Sequence, residues 1–209
     1  MPLNLSEIFE KDYLKGYFNR NKKIFLVSII LFIVLGSIGT LTNSDTMGLE
    51  NPKNLAESVQ SNDDSGSYED MSFIGFLVLF IHNFINDFTC ILGGLFFFIP
   101  SLHLTFINTT NIITLFTKGD AILLLFGVIP HGIFEIPSSI FAMAGGLMLF
   151  LTEINVIKAL ISRNSVKEAI DNSNELIKDA LISTAIVFVL LLIAAFVETF
   201  ITPVLLNML

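Results

Sequence analysis

A histidine and a glutamate lie four residues apart, at His131 and Glu135, in a segment that is otherwise apolar. Between residues 121 and 152, Glu135 carries the only formal charge. On insertion scales, a carboxylate near the middle of a bilayer costs about 2.5–3.5 kcal/mol. We therefore expect Glu135 to have a compensating partner, such as His131 or another embedded polar group.

Other polar residues interrupt the apolar runs before and after this pair. Residues 82–87 carry a polar stripe at three- and four-residue spacing, which places it on one side of a helix. Glu198 follows the charge-free run 181–197. These positions predict one polar cluster inside a helical bundle, made of Asn83, Asn86, Asp87, His131, Gly132, Glu135, Glu198 and Thr202. Such a cluster either links helices through side-chain hydrogen bonds, at about 1 kcal/mol each, or lines a cavity.

Four prolines in or beside the apolar runs are predicted to break helices: Pro100, Pro130, Pro137 and Pro203. Proline lacks a backbone donor and disfavours helix in the residue before it. Because Pro130 and Pro137 bracket the histidine and the glutamate, the sequence predicts two half-helices with irregular backbone between them. Such backbone survives at membrane depth only where protein or a water-filled cavity shields it. Residues 121–137 then either form a re-entrant hairpin or complete a crossing together with part of the preceding helix.

Composition indicates a single membrane domain over residues 1–209. The chain is 53% hydrophobic and 14% charged, whereas about a quarter of the residues of a soluble domain are charged. The net charge of −8 argues against nucleic acid as a partner. The single cysteine, Cys90, provides neither a disulfide framework nor a metal cluster. The expected fold is an all-α, polytopic transmembrane bundle of about five spans.

The amino-terminal half suggests three crossings. Residues 1–23 form a basic amphipathic segment that leads into an apolar run, 24–41, long enough to span a bilayer. By the positive-inside rule, this places the amino terminus in the cytoplasm of a cell-membrane protein and makes 42–70 an external acidic loop. The apolar stretch 71–117 fits two passages with a break near residues 87–94. The Asn-Thr-Thr triplet at 108–110 is expected to mark a helix terminus.

The carboxy-terminal half adds a polar helical segment and a last crossing. Residues 153–180 combine basic side chains with apolar residues at helical spacing, so they are predicted to form a cytoplasmic helical loop. The run 181–197 then crosses the membrane. An odd number of crossings would leave the carboxy terminus outside.

Several ordered motifs resemble one family of membrane proteins. The motifs are PHGIFEIP at 130–137, AMAGGL at 142–147 and AAFVETFITP at 194–203, preceded by HNFIND at 82–87. Over about residues 72–205 the chain resembles the stage II sporulation protein M family. The resemblance implies a protein of about five helices with its amino terminus inside. Sporulation members of that family work beside a septal peptidoglycan hydrolase pair as an anchor or scaffold, and the family also occurs in organisms that never sporulate.

Three functions are compatible with this sequence. The expected one is an integral membrane scaffold or anchoring protein, in which the His/Glu/Asn cluster holds broken helices together. The alternative is a transporter or channel, because discontinuous helices present their ends to ligands and a histidine among carboxylates can carry protons. An intramembrane metalloenzyme is disfavoured, since His131 and Glu135 lack a second nearby histidine.

A scaffold function determines which ligands and partners we expect. We expect no catalytic residue, no cofactor and no metal. Membrane lipid, a second copy of the chain and membrane or cell-envelope proteins are the expected partners.

Overall fold

The computed structural model describes residues 10–42, 72–119, 121–206 and 208. Nearly all of these residues are helical, and none of them lies in a strand. The all-α bundle predicted from the apolar runs is therefore confirmed. The predicted external loop, 42–70, lies outside the described residues except at its first position.

The main helices are α1 (Lys11–Thr42), α2 (Phe73–Leu92), α3 (Ile99–Lys118), α4 (Ile129–Ile161), α5 (Val166–Asn172) and α6 (Asn174–Phe196). Shorter elements join or extend them: a 3-10 turn (Gly93–Leu95), a helical turn (Ala121–Leu123), an upstream π segment (Leu124–Val128), a downstream π segment (Val197–Ile201) and α7 (Thr202–Leu206). The Gly93–Leu95 turn falls at the end of the break predicted near 87–94.

Four helical stretches are long and apolar enough to cross a membrane: Lys11–Thr42, Phe73–Leu95, Leu124–Ile161 and Asn174–Leu206. Large apolar side chains stand on their outer faces, and Ile30 and Ile33 are 51% and 55% exposed. Such a surface is suited to lipid. The helix α3 has 20 residues, enough for a hydrocarbon core of about 30 Å, although it carries several Asn and Thr side chains. The protein is a multi-pass membrane helical bundle, and its orientation stays a prediction.

Helix α4 lies at the centre of the bundle and packs against α1, α2 and α6. The side that it buries is made of small or flexible residues, and residues 142–146 are all buried. A Cβ built on Gly94 would lie 1.9 Å from the carbonyl oxygen of Gly146, so the turn after α2 touches the α4 backbone directly. Small residues at such contacts let membrane helices approach closely.

The break predicted between Pro130 and Pro137 is not found, because α4 runs without interruption from Ile129 to Ile161. Pro130 lies in the first turn, where the missing N–H has no intrahelical partner to lose. Pro137 lies inside the helix, and membrane helices tolerate proline where their surroundings satisfy the freed carbonyl. The irregular backbone lies upstream instead, in the π segment Leu124–Val128. Residues 129–137 continue into the crossing helix, so the described chain has no re-entrant hairpin there.

The predictions for the other two prolines also need correction. Pro100 does not kink a helix; it lies in the first turn of α3 and helps to start it. Pro203 lies in α7, which continues the stretch Asn174–Leu206 through the downstream π segment. At Pro100 the regular i to i−4 hydrogen bonds of the helix have not yet begun, so the missing N–H costs little. At Pro203 these bonds have just been interrupted by the downstream π segment.

Two predicted polar segments belong partly to longer helices in the structure. Of the predicted amphipathic segment 1–23, residues 11–23 form the first turns of α1. The predicted helical loop 153–180 comprises the end of α4, all of α5 and the start of α6. The triplet 108–110 lies inside α3 rather than at its end.

Candidate functional site

Side-chain hydrogen bonds join α2 to α4 at the predicted cluster. The Asn83 Nδ2 donates to Glu135 Oε1 at 2.9 Å. One helical turn further along α2, Asp87 Oδ2 accepts a bond of 2.6 Å from the Ser138 hydroxyl. Asp87 and Ser138 are buried, at 4% and 0% exposure. Two members of the predicted stripe, Asn83 and Asp87, therefore face α4, whereas His82 is exposed.

Asn83, Asp87 and Glu135 also line a cavity of about 190 Å³. It is lined by Asn83, Asn86, Asp87, Asn108, Asn111, Ile112, Glu135, Ser139 and Leu191. The two α3 asparagines, Asn108 and Asn111, were not predicted as cluster members. They are three residues apart and therefore lie on one face of α3, a spacing that could have identified them in the sequence. They were overlooked because residues 108–110 were expected to end a helix.

A second part of the cluster joins α4 to the downstream π segment. One potential ligand atom from each of His131, Glu135 and Glu198 lies within 4.8 Å of the other two. His131 Nε2 and Glu198 Oε2 are 4.0 Å apart, with side chains 13% and 34% exposed. The structure thus brings Glu198 next to the predicted histidine–glutamate pair. Glu135 belongs both to this triad and to the cavity.

Two polar atoms in this region are buried without a hydrogen-bond partner among the described residues. They are His131 Nδ1 and Thr202 Oγ1. Buried polar atoms normally have partners, so both atoms are available to a bound polar species. Gly132 is also buried, yet a Cβ built on it would meet no atom within 4 Å. Open space therefore lies beside Gly132, the residue that follows His131.

Both π segments of the described chain lie beside this triad. The upstream segment ends one residue before α4 and packs against α7, while Glu198 lies in the downstream segment. A π turn inserts a residue into a helix and occurs frequently at functional sites. Sequence periodicity did not predict either segment, since five residues of π geometry look the same as α-helix in an apolar run.

The charges of the site are of one sign. Asp87, Glu135 and Glu198 bring three carboxylates together with one histidine. The described residues that line the cavity or form the triad include neither lysine nor arginine. A cationic or protonated species is therefore the natural complement of this site.

A separate ion-pair network ties α1 to α6 and was not predicted. Arg20 donates to both carboxylate oxygens of Asp179, with Nε at 2.8 Å. Asn21 Nδ2 donates to the same carboxylate at 2.6 Å, and the Tyr17 and Ser183 hydroxyls are 2.6 Å apart. The network holds the first turns of α1 beside the start of α6. The two segments predicted to be cytoplasmic therefore lie at the same end of the bundle.

Comparison with known proteins identifies a family. The family model of stage II sporulation protein M matches residues 24–203, which extends the resemblance of the motifs through the first helix. No curated protein and no solved structure matches the chain. Since the match covers most of the chain and includes the cavity, the triad and most of each long helix, this protein belongs to the stage II sporulation protein M family.

Proposed function

We propose that this protein transports a small cation across the membrane, with the cavity and the triad as its binding site. The observation that supports the proposal is the set of carboxylates around a polar cavity, without lysine or arginine among the described lining residues. A scaffold needs polar groups that satisfy one another. A cation pathway needs anionic groups that a passing ion can satisfy.

Electrostatic magnitudes favour a cation at this position. Each embedded carboxylate costs about 2.5–3.5 kcal/mol when it is ionised. Two carboxylates at the 4.8 Å limit of the triad would also repel each other by about 3 kcal/mol at an effective dielectric constant of about 20. Asn83 donates a hydrogen bond to Glu135 and Ser138 donates one to Asp87, but neither donor neutralises the charge of the carboxylate. A bound cation or proton would reduce both the cost of the embedded charge and the repulsion between carboxylates.

The distribution of ligands fits a pathway more closely than a rigid core. Carboxylate and amide oxygens continue from the triad through Glu135 to the asparagines of α2 and α3. Functional sites in secondary transporters commonly lie near interrupted helices, where helix ends and polar groups reach the ligand. Here the two π segments provide the interruption.

Replacement of Glu135 by glutamine is expected to lower cation flux at least about tenfold. Glutamine keeps the shape of the side chain and can still accept the Asn83 hydrogen bond, but it lacks the charge shared by cavity and triad. Purified protein in liposomes would be compared with protein-free liposomes, using proton, Na⁺, K⁺, Mn²⁺ and Zn²⁺ gradients under an imposed membrane potential.

The matched control is Glu168→Gln, which removes an exposed carboxylate at the start of α5. This control should leave flux unchanged. Wild-type protein that conducts none of the five ions above the protein-free background would contradict the proposal. Equal flux in the wild type and in Glu135→Gln would contradict the role given to Glu135.

A scaffold or anchoring function is the second candidate, and the interhelical bonds of the cluster favour it. Asn83 with Glu135, and Ser138 with Asp87, use two of the three carboxylates to link α2 to α4. If the protein is a scaffold, His131→Ala should lower the yield of folded protein in detergent. The wild-type protein should then conduct no ions in the liposome assay. Normal yield and thermal stability of His131→Ala would contradict it.

Partners of the scaffold would be membrane or cell-envelope proteins, or a second copy of the chain. Gly94 and Gly146 contact each other inside the bundle, and Gly145 packs against Ile91 and Ser183. A homodimer would therefore use another surface than these glycines. No catalytic residue is assigned in either candidate.

A further inference from the structure

We propose that His131, Glu135 and Glu198 together bind one divalent transition-metal ion. The inference rests on the proposed function in that it names the chemical class of the transported cation. From the sequence alone we expected no metal, because no second histidine lies near His131. The structure supplies the third ligand from a distant part of the chain, as Glu198 lies 63 or more residues beyond the other two in sequence.

The spacing of the ligand atoms approaches that of a metal centre. Metal bonds to histidine nitrogen and carboxylate oxygen are about 2.0–2.2 Å, so tetrahedral ligands lie about 3.4 Å apart. The triad atoms lie within 4.8 Å of one another, and His131 Nε2 lies 4.0 Å from Glu198 Oε2. A shift of about 1 Å in flexible glutamate side chains closes this difference.

Neighbouring polar atoms provide the support that metal sites need. Asn83 donates to one oxygen of Glu135, which orients the carboxylate and leaves its second oxygen available. Hydrogen bonds of this kind fix the ligands in known metal sites. Thr202 is 7% exposed, and its Oγ1 is among the buried atoms without a partner, as is His131 Nδ1.

The donor set selects a class of metal. Ca²⁺ and Mg²⁺ prefer oxygen ligands alone, whereas imidazole nitrogen with carboxylate oxygen suits Zn²⁺, Mn²⁺, Fe²⁺ and Co²⁺. Three protein ligands leave at least one coordination position open. An open position allows the ion to be exchanged, which a transported ion requires.

Metal titration of the tag-free, full-length protein in nanodiscs tests the inference. We expect Zn²⁺ to bind with about one equivalent in calorimetry, and Co²⁺ to produce visible d–d bands of a nitrogen- and oxygen-ligated centre. His131→Ala and Glu198→Gln should each weaken Zn²⁺ binding by at least about tenfold. The matched controls His103→Ala and Glu168→Gln, both at exposed positions, should bind as the wild type does.

Absence of saturable Zn²⁺ binding and of Co²⁺ bands in the wild type would overturn the metal site, and this result needs no variant to fold. Unchanged binding in both folded variants would overturn it as well. Flux of protons or Na⁺ without metal binding would overturn the metal inference while leaving cation transport standing. Metal binding without flux of any ion would support the site and overturn transport.

Discussion

Replacement of Asp179 by alanine is expected to destabilise the folded protein by about 3–5 kcal/mol. Asp179 is 1% exposed and accepts hydrogen bonds from Arg20 and Asn21 of α1. Its removal leaves the Arg20 guanidinium without its anion in a place where that side chain is 27% exposed. The expected loss is the cost of leaving a partly buried charge unpaired. Thermal unfolding of the purified protein in detergent measures the change.

The control for this prediction is Asp12→Ala, which removes an exposed carboxylate in the first turn of α1. Asp12 contacts Lys15 at 3.5 Å, with side chains 94% and 65% exposed. Exposed pairs contribute little because water screens them. The unfolding temperature of Asp12→Ala should therefore equal that of the wild type. Equal unfolding temperatures for Asp179→Ala and the wild type would contradict the role of the network.

Replacement of Gly94 by alanine is expected to destabilise the bundle by about 3 kcal/mol or more, at the upper end of overpacking costs. The added Cβ would lie 1.9 Å from the Gly146 carbonyl oxygen, which is a backbone atom and cannot rotate away. The turn Gly93–Leu95 would have to move away from α4, and buried contacts of α2 would be lost with it. The fraction of monodisperse protein that survives heating reports the effect.

Gly132→Ala is the matched control, since it adds the same methyl group to a buried glycine of α4. Here the Cβ meets no atom within 4 Å. Alanine also favours helix over glycine by about 1 kcal/mol, so the variant should be as stable as the wild type or slightly more stable. If both variants behaved alike, the close approach of Gly94 to Gly146 would be wrong.

The fold was largely predictable because apolar composition dominates it. The runs 24–41 and 181–197 each lie inside a long helix, as hydropathy predicted. Prolines were the main source of error. Their local chemistry disfavours helix, but a position in the first turn removes the penalty for Pro100 and Pro130, and surrounding structure outweighs it at Pro137.

The site was predictable where its members share a helix or a motif. Asn83 and Glu135 were both predicted, and the structure places them in direct contact. The structure also places Glu198 beside His131, two residues of the predicted cluster that are far apart in sequence. The contacts that were missed depend on which helices become neighbours. Arg20 and Asp179 are 159 residues apart, and no local spacing encodes their pairing.

Cation transport through this bundle requires water and ions to reach the cavity between α2, α3 and α4. Asn108 lines this cavity, whereas its neighbour Ile107 is 42% exposed on the apolar outer surface of the bundle. The two positions lie at nearly the same depth on one helix. A cysteine at position 108 therefore faces the cavity, and one at position 107 faces the lipid. Native Cys90 is 4% exposed, so it should contribute little to the measured labelling.

The decisive measurement is the reaction rate of these two cysteines with a charged, water-soluble methanethiosulfonate in native membranes. The cysteine thiolate attacks the thiol-side sulfur of the reagent, forms a disulfide and displaces methanesulfinate, and a thiol ionises readily only where water reaches it. We expect Asn108→Cys to react at least about tenfold faster than Ile107→Cys, and an excess of permeating cation to slow the reaction at Asn108→Cys. An unreactive Asn108→Cys, or equal rates at the two positions, would contradict a water-accessible cation pathway.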